Sequence, residues 1–319
     1  MAQDVVLGID IGGTGIKFGL VTRNGEILYT DKVKTKGYPK PDPLPEDLKK
    51  RIAEPLKKLG AKVAGVGIGT PNGNYFDGTI DQAPNLPWKG LVPMKALFKK
   101  TFRKPVALTN DAKAAALGEM YFGAAQGCRN YLFITLGTGL GSGQVVNGKL
   151  IYGHDSLAGE LGHVIVYRNG RLCGCGRKGC IEQYASATGI VKTYYELLRN
   201  KNVDSFRLSL GNMIDAEKIC ALALEEDEIA LEAFSRTGWI LGFHLANSVC
   251  YTRPEKIFLF GGLAQAGDLL FEPTIRSFED NLMNIYQDKI EILPSGLKES
   301  EAAILGAASL IWGEMEDDS

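Results

Sequence analysis

The chain has 319 residues, more than one hydrophobic core usually supports, and therefore predicts about two domains. Hydrophobic residues make up 45% and charged residues 23%, a composition that excludes a largely disordered chain. A net charge of −1 without a basic stripe excludes the electrostatic footprint of a nucleic-acid-binding protein, and no run reaches the roughly 18 apolar residues of a membrane helix.

In the first half, β-branched runs between glycine turns predict an antiparallel meander that leads into α/β units. Helices are predicted near 45–59 and from Asp111 onward. The predicted strands lie at 5–11, 16–21, 26–33, 63–68 and 106–108. The residues before the first strand lack the cationic start of a secretory signal, so we expect a cytoplasmic protein without a membrane partner.

In the second half the order of strand, glycine turn and strand returns, and this repetition predicts a duplicated fold with a cleft between the copies. The predicted strands lie at 131–136, 141–146, 149–151 and 256–260. The predicted helices lie at 189–199, 215–224, 227–251 and 299–312. We expect a smaller first lobe at 1–111, completed by the helix 299–313, and a larger lobe at 112–298.

Three glycine loops follow predicted strands and together favour a site for nucleotide phosphates. Glycines let backbone amides approach phosphate oxygens, Thr14 donates a hydroxyl, Lys17 adds charge and Asp10 suits hydrated Mg²⁺. The candidate ATP-binding residues are Asp10, Gly12, Gly13, Thr14, Lys17, Gly137, Thr138, Gly139, Gly261 and Gly262. Taken singly, each loop also fits an ordinary hairpin turn.

Asn110 and Asp111 come directly after the predicted strand 106–108. An aspartate at a helix start is commonly an N-cap, and this alternative stays open for Asp111. A sugar hydroxyl is a poor nucleophile until a carboxylate accepts its proton, and a strand end is where such a base is expected. Asp111 is therefore our candidate general base.

A cluster of cysteines with a nearby histidine predicts a metal site within the loop 163–180. In a chain of this size we expect reduced thiols rather than disulfides. Three thiolates and one imidazole complete the tetrahedral shell of Zn²⁺, so the predicted zinc is structural, one per chain. The alternative is a set of ordinary buried thiols. The candidate ligands are His163, Cys173, Cys175 and Cys180.

Glu160 and Glu182 flank this loop, in the motif E-x-G-H at 160–163 and in C-x-C-G-x-x-G-C-x-E at 173–182. The two motifs resemble the signature of the ROK family of sugar kinases and repressors. The D-x-G-G-T element at 10–14 is similar to that of the wider hexokinase and actin-like superfamily. The resemblance implies an α/β chain with the two-lobed hexokinase/actin-like (ribonuclease H-like) ATPase fold and an active site in the interdomain cleft.

Carried over to this sequence, the resemblance implies that Asp111 is the catalytic base. The implied sugar-binding residues are Gly69, Asn85, Asn110, Asp111, Glu160, His163 and Glu182. One ring nitrogen of His163 is implied to bind zinc and the other to face a sugar hydroxyl, which couples the metal to the substrate. The sequence departs from the family at Lys113, where relatives usually have Asn.

The implied reaction is the phosphorylation of a hexose by ATP with Mg²⁺. The segment 182–186 looks like that of ROK glucokinases and favours glucose, while kinases for N-acetylmannosamine, N-acetylglucosamine and fructose share the catalytic set. Some relatives accept polyphosphate as donor. Only nine residues precede Asp10, so we expect no DNA-binding domain, and a non-catalytic sugar sensor is the alternative of another class. The family usually forms dimers or tetramers, which implies a homo-oligomer.

Overall fold

The computed structural model of the chain describes residues 2–200 and 214–317, which form two compact units. The first unit contains residues up to 127, 150–158 and those from 296 onward, and the second contains 128–149 and 159–295. The predicted boundary at 111/112 is therefore too early, because the helix 111–122 packs against the C-terminal helix inside the first unit. The two units are of almost equal length, whereas a smaller and a larger lobe were expected.

The sheet of the first unit has the strand order β3-β2-β1-β4-β7. Strands β1, β2 and β3 form the predicted antiparallel meander, while β4 and β7 extend the sheet in parallel to β1. Two further short strands, β5 and β6, pair with each other. The strands are β1 (Gln3–Ile11), β2 (Gly15–Val21), β3 (Ile27–Lys34), β4 (Ala61–Gly69), β5 (Ile80–Asp81), β6 (Leu91–Val92) and β7 (Val106–Thr109).

Helices pack on this sheet and close its core. The helices are α1 (Leu44–Leu59), α2 (Met94–Phe102), α3 (Asp111–Phe122) and, at the C-terminal end, α8 (Glu299–Asp317). Helices α1 and α2 contact β4 and β7, and α8 lies on β1 and β4. The buried face of α3 consists largely of alanine and glycine, which lets α3 approach α8 closely.

The second sheet repeats the first, with the order β10-β9-β8-β11-β12. Strands β8 and β9 are antiparallel, and β11 runs parallel to both β8 and β12. This shared arrangement confirms the predicted duplication. The strands are β8 (Tyr131–Leu136), β9 (Leu140–Val146), β10 (Lys149–Leu150), β11 (Lys256–Phe260) and β12 (Glu291–Pro294).

The described helices of the second unit build its core around the apolar strands β8 and β11. They are α4 (Ala187–Asn200), α5 (Ala216–Leu224), α6 (Glu228–Thr252) and α7 (Asp268–Asn281). Helices α6 and α7 lie along each other, and α4 packs against α5 and α6. Within 2–200 and 214–317, no helix combines the length and the apolar character needed to cross a membrane.

Candidate active site

The predicted residues of the first unit gather at the carboxyl ends of three neighbouring strands. Asp10 at the end of β1 pairs in register with Gly69 on β4, and Gly69 pairs with Thr109 on β7. Asn110 and Asp111 follow immediately. The carboxyl edge of parallel strands is where α/β proteins bind ligands. The sheet register thus brings these distant sequence positions to one edge.

Asn110, and not Asp111, caps helix α3. Its side-chain oxygen accepts hydrogen bonds from the backbone N–H of Ala112 at 3.0 Å and of Lys113 at 3.4 Å. Asp111 is the first residue of the helix, and its side chain is exposed. The N-cap alternative for Asp111 is therefore wrong, because Asn110 occupies the N-cap position, although Asp111 Oδ1 also accepts a hydrogen bond from the N–H of Ala112 at 2.8 Å. The carboxylate of Asp111 is accessible to a substrate.

The pKa values of both carboxylates at this edge are raised. The pKa of Asp10 is raised to about 6, chiefly by burial and then by the negative charge of Asp111, while Lys17 acts in the opposite direction. Desolvation by the surrounding protein also raises the pKa of Asp111, although a hydrogen bond from the backbone N–H of Ala112 opposes it. A carboxylate with a raised pKa is a stronger base, so the site favours proton acceptance at Asp111.

The loop 12–14 lies against the predicted sugar-binding residue Asn85. A Cβ atom on Gly13 would lie 2.7 Å from the carbonyl oxygen of Asn85, so a glycine is needed for this approach. Thr35 holds the other side of the loop by donating its hydroxyl to the carbonyl oxygen of Gly12 at 2.6 Å. Thr14 is exposed. The structure therefore brings the first glycine loop and Asn85 together.

The two glycine loops of the second unit leave its sheet side by side. Phe260 at the end of β11 lies beside Thr135 of β8, so Gly261 and Gly262 emerge next to the loop 137–139. Helix α4 supports that loop: the hydroxyl of Thr188 donates to the carbonyl oxygen of Thr138 at 2.8 Å. Backbone N–H groups at such turns suit phosphate oxygens.

A cavity of about 500 Å³ opens beside the loop 137–139. The sequence analysis missed its walls, because residues on α4 are spaced as in any amphipathic helix and carry no motif. The residues that line it include Thr138, Thr188, Val191, Lys192, Tyr195 and Ile214. The lining also includes the charged residues Glu196, Arg199 and Asp215. Aliphatic, aromatic and charged side chains thus surround a space beside the glycine loop that is large enough for a flat heterocycle attached to phosphates.

The predicted zinc ligands converge in the second unit. Their ligand atoms all lie within 4.8 Å of one another. Cys173 Sγ lies 3.6 Å from His163 Nδ1, and the sulfurs of Cys175 and Cys180 are also 3.6 Å apart. Ligands of a tetrahedral zinc with Zn–S bonds of about 2.3 Å lie about 3.8 Å apart, whereas a disulfide requires about 2.05 Å. The donor set fits a structural Zn²⁺ held by these four residues.

Glu182 connects the cysteine cluster to the second glycine loop. Its Oε2 accepts a hydrogen bond from the backbone N–H of Leu140 at 3.2 Å, and the thiol of Cys173 lies 3.7 Å from Oε1. A Cβ atom on Gly139 would lie 2.3 Å from Oε2. The position of the Glu182 carboxylate therefore depends on both neighbours.

Arg171, which the sequence analysis also missed, fixes the cysteine loop to helix α4. Its guanidinium donates to the carbonyl oxygen of Gln183 at 2.5 Å and to Thr193 Oγ1 at 2.9 Å. It also pairs with Glu196 at 2.6 Å and lies 4.4 Å from the centre of the Tyr184 ring. These contacts order the backbone that follows Glu182. No sequence motif indicates these contacts, because the fold brings together residues that are far apart in the sequence.

The predicted sugar-binding residues divide between the units. Gly69, Asn85, Asn110 and Asp111 belong to the first unit, and Glu160, His163 and Glu182 belong to the second. Glu160 is exposed and precedes the 3-10 turn Leu161–His163, whose last N–H donates to the carbonyl oxygen of Glu160 at 3.1 Å. In the sequence, His163 lies between the two predicted carboxylates, Glu160 and Glu182.

The sequence matches the ROK family over residues 6–314. The chain belongs to the ROK family. It is 36% identical to the glucokinase of Thermotoga maritima, over 96% of this chain and 96% of that protein. The predicted family is therefore confirmed.

Solved structures of ROK proteins have the same fold. The ROK glucokinase of Streptomyces griseus, in complex with glucose and AMPPNP, is similar with a TM-score of 0.78 and 34% identity over 96% of this chain and 98% of that one. A ROK transcriptional regulator, a homolog of the E. coli MLC protein, is similar with a TM-score of 0.87 and 26% identity over 98% of this chain and 79% of that one. These likenesses confirm the predicted hexokinase-like α/β fold.

Proposed function

We propose that this ROK protein catalyses phosphorylation of a hexose by ATP with Mg²⁺, and that glucose is its preferred substrate. The observation that carries the proposal is the state of Asp111. It follows directly on the end of β7, desolvation by the surrounding protein raises the pKa of its carboxylate, and Asn110 rather than Asp111 is the N-cap of α3. Such a group suits the acceptance of a proton from a sugar hydroxyl during in-line phosphoryl transfer.

We assign the remaining residues of the first unit to orientation and charge. The side chain of Asn110 caps α3 and lowers the pKa of the neighbouring Asp111 carboxylate, so it fixes the start of the helix that carries the base. Asp10 is the carboxylate that we assign to Mg²⁺, which neutralises charge on the phosphates when bound. Lys17, opposite Asp10 in the β1–β2 register, adds positive charge to the same edge.

We assign nucleotide binding in the second unit to its glycine loops and the adjoining cavity. The N–H groups of the loop 137–139 and of Gly261 and Gly262 donate to phosphates, and the base occupies the cavity beside Tyr195 and Val191. In the same unit, Glu160 and Glu182 accept hydrogen bonds from sugar hydroxyls, and the ring N–H of His163 that faces away from zinc donates one to a sugar oxygen. Zinc holds His163 in this arrangement and supplies no open coordination position for chemistry.

A sugar-sensing regulator without catalysis is a second candidate, favoured by the likeness to the ROK transcriptional regulator. A sensor has to bind the sugar but does not need a general base. The retention of Asp111 with a raised pKa supports the enzyme. The identity to the glucokinase of Thermotoga maritima supports glucose as the substrate.

A coupled assay over a panel of hexoses, each with ATP and with polyphosphate, tests the proposal. We expect phosphorylation of glucose with ATP, and loss of this activity in Asp111→Asn. Asp42→Asn is the matched control, because Asp42 is an exposed aspartate outside the site. Sugar binding by calorimetry without phosphorylation of any hexose by either donor would overturn the enzyme and leave the sensor.

A further inference from the structure

Lys113 is a buried lysine in the first turn of α3, with 2% of its surface exposed. A cation near a helix N-terminus opposes the helix dipole, and a buried ammonium costs free energy unless it is hydrogen-bonded. Its Nζ donates a hydrogen bond to the backbone carbonyl oxygen of Ser156 at 2.5 Å. A buried lysine in the first turn is unfavourable both for the helix dipole and for solvation of the charge. Its presence therefore indicates a role other than helix formation.

Ser156 belongs to the segment Leu150–Ala158, which we call the strap. Ser156 is 1% exposed and has a φ of 71°, a left-handed conformation that a serine rarely adopts. Its hydroxyl oxygen accepts a hydrogen bond from the backbone N–H of Tyr75 at 2.9 Å. Ser156 is therefore held at its backbone by Lys113 and at its side chain by Tyr75.

Further contacts dock the strap on the same unit. The ring of Tyr152 stacks on Tyr75, with the centroids 4.0 Å apart and the planes 9° from parallel. The side chain of Asn74 donates to the carbonyl oxygen of Asp155 at 3.2 Å. The N–H of Ala158 closes the strap on the carbonyl oxygen of Tyr152 at 3.0 Å. These contacts hold the strap as a compact turn in one position on the first unit.

The strap leads directly to Glu160, from which it is separated by Gly159 alone. At the other end of the contact, Lys113 lies two residues beyond Asp111 on α3. Helix residues at this spacing do not face each other, and the hydrogen bond from Lys113 Nζ to Ser156 leads to the strap. One side chain therefore joins the helix that carries the base to the chain in front of Glu160.

We propose that Lys113 is a positioning residue for the sugar, which holds Ser156 and thereby places Glu160. This inference rests on the proposed function, since it gives Glu160 the role of a sugar ligand. Gly159 offers a competing anchor, because its carbonyl oxygen accepts a hydrogen bond from Ser142 Oγ. The loss of Lys113 weakens sugar binding if the hydrogen bond between Ser142 and Gly159 is not sufficient by itself to place Glu160.

The test is Lys113→Met, which keeps the length of the side chain and removes the donor. We expect the KM for glucose to rise about tenfold, as for the loss of one charge-assisted hydrogen bond, with kcat and the KM for ATP nearly unchanged. Lys113→Arg, which keeps donors, should recover part of the affinity. Lys100→Met, at an exposed lysine of α2, is the matched control.

Ser156→Ala removes the hydrogen bond that the Ser156 hydroxyl accepts from the N–H of Tyr75, and it should also raise the KM for glucose. In the double variant the two effects should be less than additive, because both act through Ser156. If Lys113→Met does not fold by circular dichroism, Ser156→Ala carries the test, and Lys113→Arg, which keeps donors, should have a KM for glucose closer to that of the wild-type protein.

An unchanged KM for glucose in these folded variants, or equal losses for both substrates and kcat, overturns the positioning role. Failure of the proposed function looks different, since the wild-type protein then phosphorylates no hexose. In that case the sugar dissociation constant from calorimetry replaces KM in the same comparison. A wild-type protein that binds no hexose overturns both proposals.

Discussion

His244 makes the stability of the second unit depend on pH. It lies on α6 with 5% of its surface exposed, and burial lowers its pKa from 6.5 to about 4. Its Nε2 has no hydrogen-bond partner within the described part of the chain. Between these two pKa values the unfolded chain binds a proton that the folded protein excludes. The free energy of unfolding therefore falls as the pH falls from about 6.5, and levels off below about 4.

The size of the effect follows from the shift. At about 1.4 kcal/mol per pKa unit, the loss attributable to His244 is about 2 kcal/mol at pH 5 and about 3 kcal/mol at pH 4. We propose urea unfolding of the wild-type protein and of His244→Leu, which has similar volume and no titrating group, at pH 7 and pH 5. On acidification the wild-type protein should lose about 2 kcal/mol more than the variant.

The comparison cancels groups common to both proteins, including Asp10, whose raised pKa stabilises the folded state as the pH falls. His154→Leu is the control, because it makes the same substitution at an exposed histidine. If the wild-type and His244→Leu curves lose the same free energy between pH 7 and pH 5, the reasoning from burial is refuted.

Three further predictions concern the site. Asp111→Asn should lower kcat by about 10² to 10⁴ in the coupled assay while calorimetry still detects sugar binding, and near-normal turnover would contradict the general base. Cys175→Ser should raise the KM for sugar while circular dichroism stays native. Mass spectrometry should find one zinc per wild-type chain, and full activity in chelator would exclude the metal from sugar binding. Gly139→Ala should displace the Glu182 carboxylate, since its Cβ would lie 2.3 Å from Oε2, and so raise the KM for sugar without lowering Tm. Gly37→Ala, at a position open to space, is its control, and an equal KM in both variants would contradict the role of Glu182.

Nine of the strands could be predicted because each is a short apolar run between turns, a pattern that local sequence carries, whereas the two-residue strands β5 and β6 and the helix α2 were missed. Helix α7 was missed, and it contains Pro273, a residue that normally signals a helix end. Strand β12 was missed because it has four residues and ends in a proline. The domain boundary was wrong because the packing of α3 on α8 joins segments far apart in sequence.

The candidate site also combines features that local sequence predicts with features that depend on the fold. The spacing of the cysteines predicts their convergence, which the structure contains as a cluster within 4.8 Å. The capping of α3 by Asn110 rather than Asp111 depends on the backbone conformation at one residue, which composition does not reveal. The contacts of Arg171 and of Lys113 join distant segments, so no local pattern predicts them.

Helix α8 has a consequence for the order in which the protein is made. The core of the first unit needs this helix on β1 and β4, although residues 299–317 leave the ribosome after all of the second unit. Domains generally fold as units during synthesis, so the second unit can close first, while β1 and β4 expose apolar surface throughout translation. The apolar surface of the nascent first unit therefore stays uncovered until α8 emerges.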